Sequence, residues 1–414
     1  MSLSKVEPLF LAKLNQLQQQ GVRKGDEKII TGILAPENGL GPRYQLHGYG
    51  KRAFLRMNSN SYLGLARHPA VIEAEALAVE QYGAGPGAVR FISGTYAPHV
   101  ELERRLAAFH GREAAMLFSA AYATMVGVLP QLISEQTLVV SDALNHNCII
   151  NAIRLAHPAG KAIYAHGDMH DLEKILSTNR DRYQRVCVVT DGVFSMRGDH
   201  APLDELDACC AKHQSDYPEG IVTLVDDSHG AGAFGGTGRG TEEITGGRAD
   251  VLVATLGKAF GVILESTEGL DLLDRLRSLS TKLRSGLQQL GFETLPGEHP
   301  IVPVFVRDTA KTAALVAHLF DRNILATGLN YPVVPQGDQE IRLQVSAGHT
   351  EKDLDYSSEA SFTALVISSI ASRAFSLGRR SSASLTLSIT FSVVSVGFCP
   401  QADKVDSAIA IINR

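Results

Sequence analysis

Four short apolar runs in the middle of the chain each end abruptly in polar side chains. They cover residues 137–140, 185–189, 221–225 and 251–254. Helical patterns separate them, at 148–157, 168–178 and 203–213. Short apolar runs that alternate with helices are typical of parallel strands buried on both faces. The alternation therefore predicts an α/β fold, in which helices cover a mostly parallel central sheet and polar groups gather at the carboxyl ends of its strands.

A fifth apolar run, at 114–118, leads into a turn of small residues, Ser119 to Ala123, and then into another helical pattern. We predict a strand here that is followed directly by a helix. Backbone N–H groups at the start of a helix attract anions, and small side chains let a phosphate approach them closely. This turn is therefore a candidate phosphate site.

The polar groups that follow the apolar runs have complementary chemistry. They include a lysine, an aspartate and two histidines: Lys258, Asp226, His146 and His229. A lysine amine can form a Schiff base with an aldehyde, a carboxylate can keep a pyridinium nitrogen protonated, and an imidazole can stack on a ring or bond its 3-oxygen. A single lysine is more often a surface charge, so the prediction depends on the whole set. Together these groups indicate a pyridoxal 5'-phosphate site.

Other kinds of site fit the sequence less well. Ser228, His229 and Asp226 are the residue types of a hydrolytic triad, but such near neighbours can hardly form the relay and the chain has no G-x-S-x-G motif. The glycines at 83–87 follow a helical pattern rather than a strand, which argues against a dinucleotide fingerprint. Five scattered cysteines without a C-x-x-C pair predict neither a disulfide framework nor a metal site.

Composition limits the partners and the location. The 414 residues carry a formal net charge of −5, which gives no electrostatic reason to expect nucleic acid or an anionic membrane as a partner. The N-terminus lacks the apolar block of a secretory signal. The most apolar late stretch, 383–398, is too short and too rich in Ser and Thr for a membrane span. We expect a cytoplasmic protein, with a mitochondrial location as the alternative.

Motifs around these residues extend the interpretation to a family. They are Asn60–Leu65, Val89–Thr95, Ser141–His146, Asp191–Met196, Asp226–His229, Thr255–Lys258, Tyr331–Pro335, Ile341–Gln344 and Ser346–Thr350. In these motifs the chain resembles the α-oxoamine synthases, a family of fold type I pyridoxal phosphate enzymes. The most similar branch is that of the 2-amino-3-ketobutyrate coenzyme A ligases, or glycine C-acetyltransferases. The resemblance covers about Asn58 to Gly261 and about Leu272 to Thr350.

The resemblance implies a role for each group around the cofactor ring. Lys258 would be joined to the cofactor aldehyde and would later move protons at the substrate Cα. Asp226 would pair with the pyridine nitrogen, and His146 would stack on the ring. His229 and Ser195 would bond the 3-oxygen.

The resemblance also implies how the phosphate and the substrate are held. Three consecutive residues would bind the phosphate through their backbone: Ala120, Ala121 and Tyr122. Thr255 would assist them. Arg342 and Asn60 would bind the carboxylate of the amino acid, a role to which the planar guanidinium group of arginine is well suited.

The activity implied is that of a pyridoxal phosphate-dependent C-acyltransferase of amino-acid metabolism. The enzyme would condense glycine, or another small amino acid, with an acyl-CoA to give an α-amino ketone product and free coenzyme A, at sites on the interface of a homodimer. One alternative is another α-oxoamine synthase, of the 8-amino-7-oxononanoate or sphingoid-base type. A second alternative is a catalytically defective isoform or a non-catalytic partner.

The chain is predicted to divide into five segments. In chain order these are an N-terminal helix and irregular arm (1–55), a large pyridoxal phosphate-binding domain (56–265), a smaller C-terminal α+β domain (266–355), a Ser-rich insertion (356–403) and a terminal helix (404–414).

Two departures from the family pattern bear on activity. After the lysine loop the family has a glycine-rich strand, a helix and a segment that reaches the neighbouring subunit's phosphate, whereas here roughly forty residues are missing after Gly261. The Ser-rich residues 356–403 replace the family's final helix. We hypothesise that one exon is skipped and one intron is retained. Transcript reads aligned to the genome test this, because an uninterrupted coding exon across 356–403 would exclude it.

Overall fold

The computed structural model describes residues 3–20, 23, 27–259 and 266–361. Its α-helices are α1 (Glu7–Gln19), α2 (Pro69–Tyr82), α3 (Ala97–Phe109), α4 (Ala121–Leu132), α5 (Asn147–Ala156), α6 (Met169–Asn179), α7 (Leu203–His213), α8 (Thr241–Thr245), α9 (Thr267–Gln289) and α10 (Thr309–Asp321). Residues 351–361 are also helical. The predicted terminal helix, the part of the Ser-rich insertion beyond residue 361 and the junction at Gly261 lie outside the described residues.

The strands belong to one parallel sheet, one antiparallel sheet and two smaller pairs. They are β1 (Ile30–Leu34), β2 (Arg43–Leu46), β3 (Leu55–Arg56), β4 (Thr137–Asp142), β5 (Gly160–Tyr164), β6 (Arg185–Asp191), β7 (Ile221–Asp226), β8 (Val251–Val253), β9 (Ile301–Phe305), β10 (Ile324–Leu325), β11 (Thr327–Leu329) and β12 (Glu340–Gln344).

The central sheet is parallel throughout, with the strand order β5-β4-β6-β7-β8. Helices α4 and α5 cover one face, where Leu129 and Ile149 are fully buried. Helices α6 and α7 cover the other, where Leu172 and Leu206 are buried. Burial on both faces is the reason that β4, β6 and β7 appear in the sequence as continuous apolar runs. The arrangement confirms the predicted fold class, a parallel sheet covered by helices with a smaller C-terminal domain.

Two stretches differ from the sequence prediction. The sequence pattern misses β5, because this edge strand is only partly buried and lacks a continuous apolar run. Residues 114–118, predicted as a strand, form none. The backbone N–H and C=O groups of a strand need hydrogen-bond partners on a neighbouring strand. A groove lies beside this segment instead of a strand, so these partners are missing there.

The groove has a volume of about 610 Å³. Residues 114–121 line one side of it, and residues 250–257, which include β8, line the other. Within the described part of the chain, no strand pairs with the outer side of β8. The groove therefore lies where a sheet would place one further strand.

The smaller sheet is antiparallel, with the order β11-β12-β9, as expected for an α+β arrangement. Ile341 and Leu343 of β12 pack in the same apolar core as Leu283 of α9 and Leu319 of α10. Because side chains alternate along a strand, the remaining side chains of β12 lie on its opposite face: Glu340, Arg342 and Gln344.

The N-terminal arm contains the predicted helix, α1, but none of its residues is buried. Leu9 is 68% exposed and Leu11 is 52% exposed. The rest of the arm, predicted as irregular, contains the antiparallel pair β1–β2. Among the helices within the described ranges, none is both long enough and apolar enough to cross a membrane.

Candidate active site

A cavity of about 80 Å³ lies at the carboxyl edge of the central sheet. Seven of the predicted site residues line it: Ala121, Tyr122, His146, Ser195, Asp226, His229 and Lys258. They come from segments far apart in the sequence, and the parallel strands bring these segments together because their carboxyl ends meet at one edge. Ala120 and Thr255 line the neighbouring groove instead, and Ala121 contributes to both.

Asp226 is the last residue of β7 and is 6% exposed. Its Oδ1 accepts a hydrogen bond from the backbone N–H of Ser228 (3.1 Å), and its Oδ2 accepts one from the thiol of Cys148 (3.6 Å). These donors fix the orientation of the carboxylate in the cavity wall. A carboxylate held in this way can keep the ring nitrogen of a bound pyridine protonated.

Asp191, at the end of β6, is a second buried carboxyl group in the same wall, and its role is not predicted from the sequence. Burial raises its pKa well above the usual range, and the nearby charge of Asp226 raises it further. Its Oδ2 accepts a hydrogen bond from the backbone N–H of His146 (3.0 Å). Asp191 therefore anchors the loop that carries His146.

His146 immediately precedes α5 and caps that helix. Its Nδ1 accepts a hydrogen bond from the backbone N–H of Cys148 (3.2 Å), which fixes the orientation of the ring. Burial lowers the pKa of His146, so the imidazole is neutral at physiological pH. A neutral ring in a fixed position is suited to stacking on a planar cofactor.

His229 is oriented by Tyr62, whose role is not predicted from the sequence. The Tyr62 hydroxyl lies 2.7 Å from His229 Nδ1. Burial raises the pKa of Tyr62, so its hydroxyl group stays protonated and donates a hydrogen bond to Nδ1. Burial and the charge of Lys258 lower the pKa of His229. The neutral ring then carries its hydrogen on Nε2, which makes that nitrogen a donor for an oxygen in the cavity.

The amine of Lys258 is less basic than that of an exposed lysine. Burial lowers its pKa to about 8, although the charges of Asp226 and Asp191 oppose the change. A substantial fraction of the amine is therefore neutral near physiological pH. A neutral amine can attack an aldehyde and can accept a proton.

The first turn of α4 is open to an anion. The helix begins at Ala121, and its N-cap, Ala120, has no side chain that could accept hydrogen bonds from the first N–H groups. Tyr122 accepts a hydrogen bond at its hydroxyl from Asn151 (2.7 Å), which keeps its ring to one side. The uncapped turn, the Lys258 amine and the Asp226 carboxylate fit the phosphate, aldehyde and ring nitrogen of pyridoxal phosphate.

The two predicted substrate ligands lie on the side of the smaller sheet. Arg342 donates a hydrogen bond from Nη1 to the Ser195 carbonyl oxygen (2.6 Å). Asn60 accepts a hydrogen bond from the side chain of Gln344. Arg342 is close enough to Lys258 and His229 to lower the pKa of both. Arg342 therefore lies beside the cavity wall at Ser195, and Asn60 is tied to the same strand, but neither side chain lines the cavity.

The fold and this set of groups define a fold type I pyridoxal phosphate transferase. The protein-family model described as aminotransferase class I and II matches residues 52–265 and 263–360, so the chain belongs to that family. Within it, the chain is a member of the α-oxoamine synthases, as its motifs predicted. The family assignment also confirms pyridoxal 5'-phosphate as the cofactor.

The sequences of curated relatives support the same family assignment. The 8-amino-7-oxononanoate synthase of Thermoanaerobacter pseudethanolicus is 34% identical over 384 residues, covering 83% of this chain and 93% of that protein. The 8-amino-7-oxononanoate synthase of Coprothermobacter proteolyticus is 36% identical over 358 residues, covering 76% of this chain and 88% of that protein.

Solved structures share the fold. Serine palmitoyltransferase from Sphingomonas wittichii is 26% identical, with a TM-score of 0.75, over 89% of this chain and 99% of that one. The 8-amino-7-oxononanoate synthase of Francisella tularensis, at 19% identity and a TM-score of 0.59, covers 76% of this chain and 99% of that one and shows the fold alone.

The alignments are longer than the part of this chain that they cover. Because 83% of 414 residues is about 344, an alignment over 384 positions places about 40 positions opposite gaps in this chain. The two matches to the family model, 52–265 and 263–360, also meet at the segment that follows the lysine loop.

Proposed function

We propose that this chain derives from an α-oxoamine synthase of the 8-amino-7-oxononanoate type. The observation that carries the proposal is the convergence of Lys258, Asp226, His146 and His229 on one cavity beside Arg342. The sequence motifs favour glycine as the substrate and the 2-amino-3-ketobutyrate branch, with the 8-amino-7-oxononanoate type as an alternative. The relatives at 34–36% identity support this alternative better, because they are 8-amino-7-oxononanoate synthases.

The name of the product, 8-amino-7-oxononanoate, defines which bonds form and break in the reaction. An amine on carbon 8 and a methyl group at carbon 9 are what alanine leaves after it loses its carboxyl group, and carbons 1 to 7 are a seven-carbon diacid joined through one acyl end. The new C–C bond links the amino-acid Cα to the carbonyl carbon of an acyl thioester. The C–S bond breaks and releases the thiol, and the amino-acid carboxyl group leaves as CO₂. In the 2-amino-3-ketobutyrate reaction the product retains that carboxyl group.

The side chains of the cavity suit this chemistry. When bound, pyridoxal phosphate supplies an electron-withdrawing ring that stabilises negative charge at the amino-acid Cα. Asp226 keeps the ring nitrogen protonated, and His229 donates to the ring oxygen from Nε2. Lys258 moves the proton at Cα, for which a pKa of about 8 is well matched to neutral pH. Arg342 orients the amino-acid carboxylate.

The pair of substrates that supports thiol release distinguishes the two reactions, and a carboxyl label on the amino acid follows the loss of CO₂. Protein purified with added pyridoxal phosphate should release labelled CO₂ and free thiol in equal amounts from alanine and a seven-carbon diacid thioester. Thiol release from glycine and acetyl-CoA, with none from alanine and the diacid thioester, would favour the 2-amino-3-ketobutyrate reaction. Omitting the thioester is the control, and no labelled CO₂ should then appear.

We further propose that a second copy of the chain covers the region around the cavity. Large apolar side chains are exposed just before α3, on one wall of the groove and on the N-terminal arm: Phe91 is 89%, Ile92 is 69%, Met116 is 73% and Leu9 is 68% exposed. Exposed apolar surface of this extent is typical of an association surface. Size-exclusion chromatography with light scattering tests this, since a homodimer has twice the 44.5 kDa mass of one chain.

A catalytically defective isoform is the second candidate. The groove beside β8, the gaps of about 40 positions in the alignment and the division of the family match support a missing block after the lysine loop. A colourless protein despite excess cofactor would favour this candidate. A visible absorption band with turnover would favour the active enzyme.

A further inference from the structure

Three polar side chains line the face of β12 that is turned away from its apolar core: Glu340, Arg342 and Gln344. Two of them bind groups outside the smaller sheet. Arg342 donates to the Ser195 carbonyl oxygen, and Gln344 donates to the Asn60 side chain. The third, Glu340, differs: both its carboxyl oxygens are buried, and neither has a hydrogen-bond partner among the described residues.

Glu340 is 1% exposed and lies on the central strand of its sheet, between Leu329 of β11 and Phe305 of β9. A buried carboxyl group without hydrogen bonds is costly, and more so when it is ionised. The charged groups that face it come from β12, from the loop before that strand and from the loop after β6: Arg342, Asp338, Arg197 and Asp199. Burial raises the pKa of Glu340 to about 8, although the two arginines lower it.

Arg342 has a matching free donor. Its Nε is buried and, within the described part of the chain, makes no hydrogen bond. Side chains two positions apart on one face of a strand are separated by about 7 Å at their Cα atoms, a distance that long Glu and Arg side chains can bridge. The guanidinium group therefore has two possible anionic partners, the substrate carboxylate and its own neighbour on β12.

We propose that Glu340 is a positioning residue that acts through Arg342 and decides whether its guanidinium group is available to the amino-acid substrate. The inference rests on the proposed function, in which Arg342 binds the substrate carboxylate. An uncharged Glu340 leaves the Arg342 cation to the substrate. An ionised Glu340 pairs with Arg342 and competes with the substrate for it.

Amino-acid binding at two pH values tests this without turnover. The holoprotein and its Glu340→Gln variant are titrated with alanine at pH 6.5 and pH 9, and the dissociation constant is taken from the change in cofactor absorption. Effects of the Lys258 amine and of the alanine amine are common to both proteins. We expect equal affinity at pH 6.5 and about tenfold tighter binding by Glu340→Gln at pH 9, the size expected for unit charges about 7 Å apart with solvent screening.

Asp321→Asn is the control, because it removes the same charge from an exposed position and Asp321 is not among the charged groups that face Glu340. It should follow the wild type at both pH values. Glu340→Asp retains a carboxyl group, so it should bind alanine at pH 9 as weakly as the wild type does. A merely structural role of Glu340 would not preserve this weaker binding. Parallel behaviour of wild type and Glu340→Gln at both pH values would overturn the inference. A wild-type holoprotein that binds no amino acid at either pH would instead overturn the proposed function.

Discussion

Lys258 combines two properties that a surface lysine lacks. It lies among the carboxyl ends of parallel strands, and burial lowers its pKa to about 8 despite two neighbouring carboxyl groups. The first property brings it to the cofactor, and the second makes its amine available as a nucleophile and a base. A residue with both is expected to be indispensable.

Replacing Lys258 with Ala should abolish the visible absorption of bound cofactor and lower acyl transfer by about a thousandfold or more. Absorption spectra and a thiol-release assay measure the two effects. Lys352→Ala, at an exposed position, is the control and should leave both unchanged. Undiminished turnover in Lys258→Ala would contradict the assignment.

Tyr62→Phe removes a single hydroxyl group and leaves the ring in place. Without the O–H that fixes the His229 tautomer, we expect a shift in the absorption maximum of the cofactor and a decrease in kcat of about tenfold, the effect of one lost hydrogen bond.

Tyr217→Phe provides the comparison for this variant. It also removes a buried hydroxyl group, which donates to the Leu176 carbonyl oxygen (2.6 Å), but Tyr217 does not line the cavity. It should lower the melting temperature without altering the spectrum. Identical spectra for the wild type and Tyr62→Phe would exclude the proposed role of Tyr62.

The main groups of the candidate site can be predicted from the sequence, and their supporting contacts cannot. Lys258, Asp226 and His146 each follow an apolar run, and parallel topology alone makes such residues converge. The partner of His229 is different, because Tyr62 lies 167 positions away and meets it only through packing of the whole domain. The motif Asn60–Leu65 contains this tyrosine, but nothing in the sequence indicates that its partner is His229.

At the scale of the elements, His166 connects the end of β4 to the loop that follows β6. Its Nδ1 lies 3.0 Å from Asp142 at the end of β4, and its Nε2 lies 3.3 Å from Asp199 in the loop after β6. Burial alone would lower the pKa of this imidazole, but hydrogen bonds to the two carboxylates outweigh burial and raise it to about 9. The folded protein therefore holds His166 charged at neutral pH.

His166→Gln should destabilise the protein in a pH-dependent way. Because the folded-state pKa lies above the unfolded value of 6.5, the contribution of His166 is complete below pH 6.5 and is lost as the pH rises through 9. We expect a loss of about 2 kcal/mol in the free energy of unfolding at pH 6 and much less at pH 10. Thermal melts at both pH values measure the difference.

The exposed His170 offers the control for this comparison. His170→Gln should change stability little at either pH. Equal destabilisation by His166→Gln at pH 6 and pH 10 would show that its charge contributes nothing.

The elements also show where sequence patterns are informative. Buried strands such as β6 and β7 form continuous apolar runs and are predicted correctly. The edge strand β5 lacks such a run. The segment 114–118 has the composition of a strand, but a strand also requires a neighbour, and the groove shows that its neighbour is absent from the described residues.

At the scale of the whole molecule, the groove and the alignment gaps support the same missing block. Inserting the corresponding segment of a relative, about forty residues, between Ala259 and Ser266 should fill the groove. We expect a melting temperature several degrees higher and cofactor binding at least about tenfold tighter. Differential scanning calorimetry and cofactor titration measure these changes.

A Gly/Ser linker of equal length at the same position is the control. It restores the chain length without a strand, so it should raise neither quantity. If the linker and the inserted segment behaved alike, the groove would have no relation to a missing strand.

Within the described residues no strand covers the outer side of β8, and this should shorten the lifetime of the chain in a cell. Unpaired backbone groups along an apolar edge pair readily with other extended chains, and native proteins usually cover such edges or protect them with charge. Val251, Leu252 and Val253 carry no charge, and Met116 is exposed on the opposite wall of the groove. Chaperones and proteases act on surfaces of this kind. We therefore expect the abundance of the chain to be limited by protein quality control, and to rise when proteolysis is inhibited.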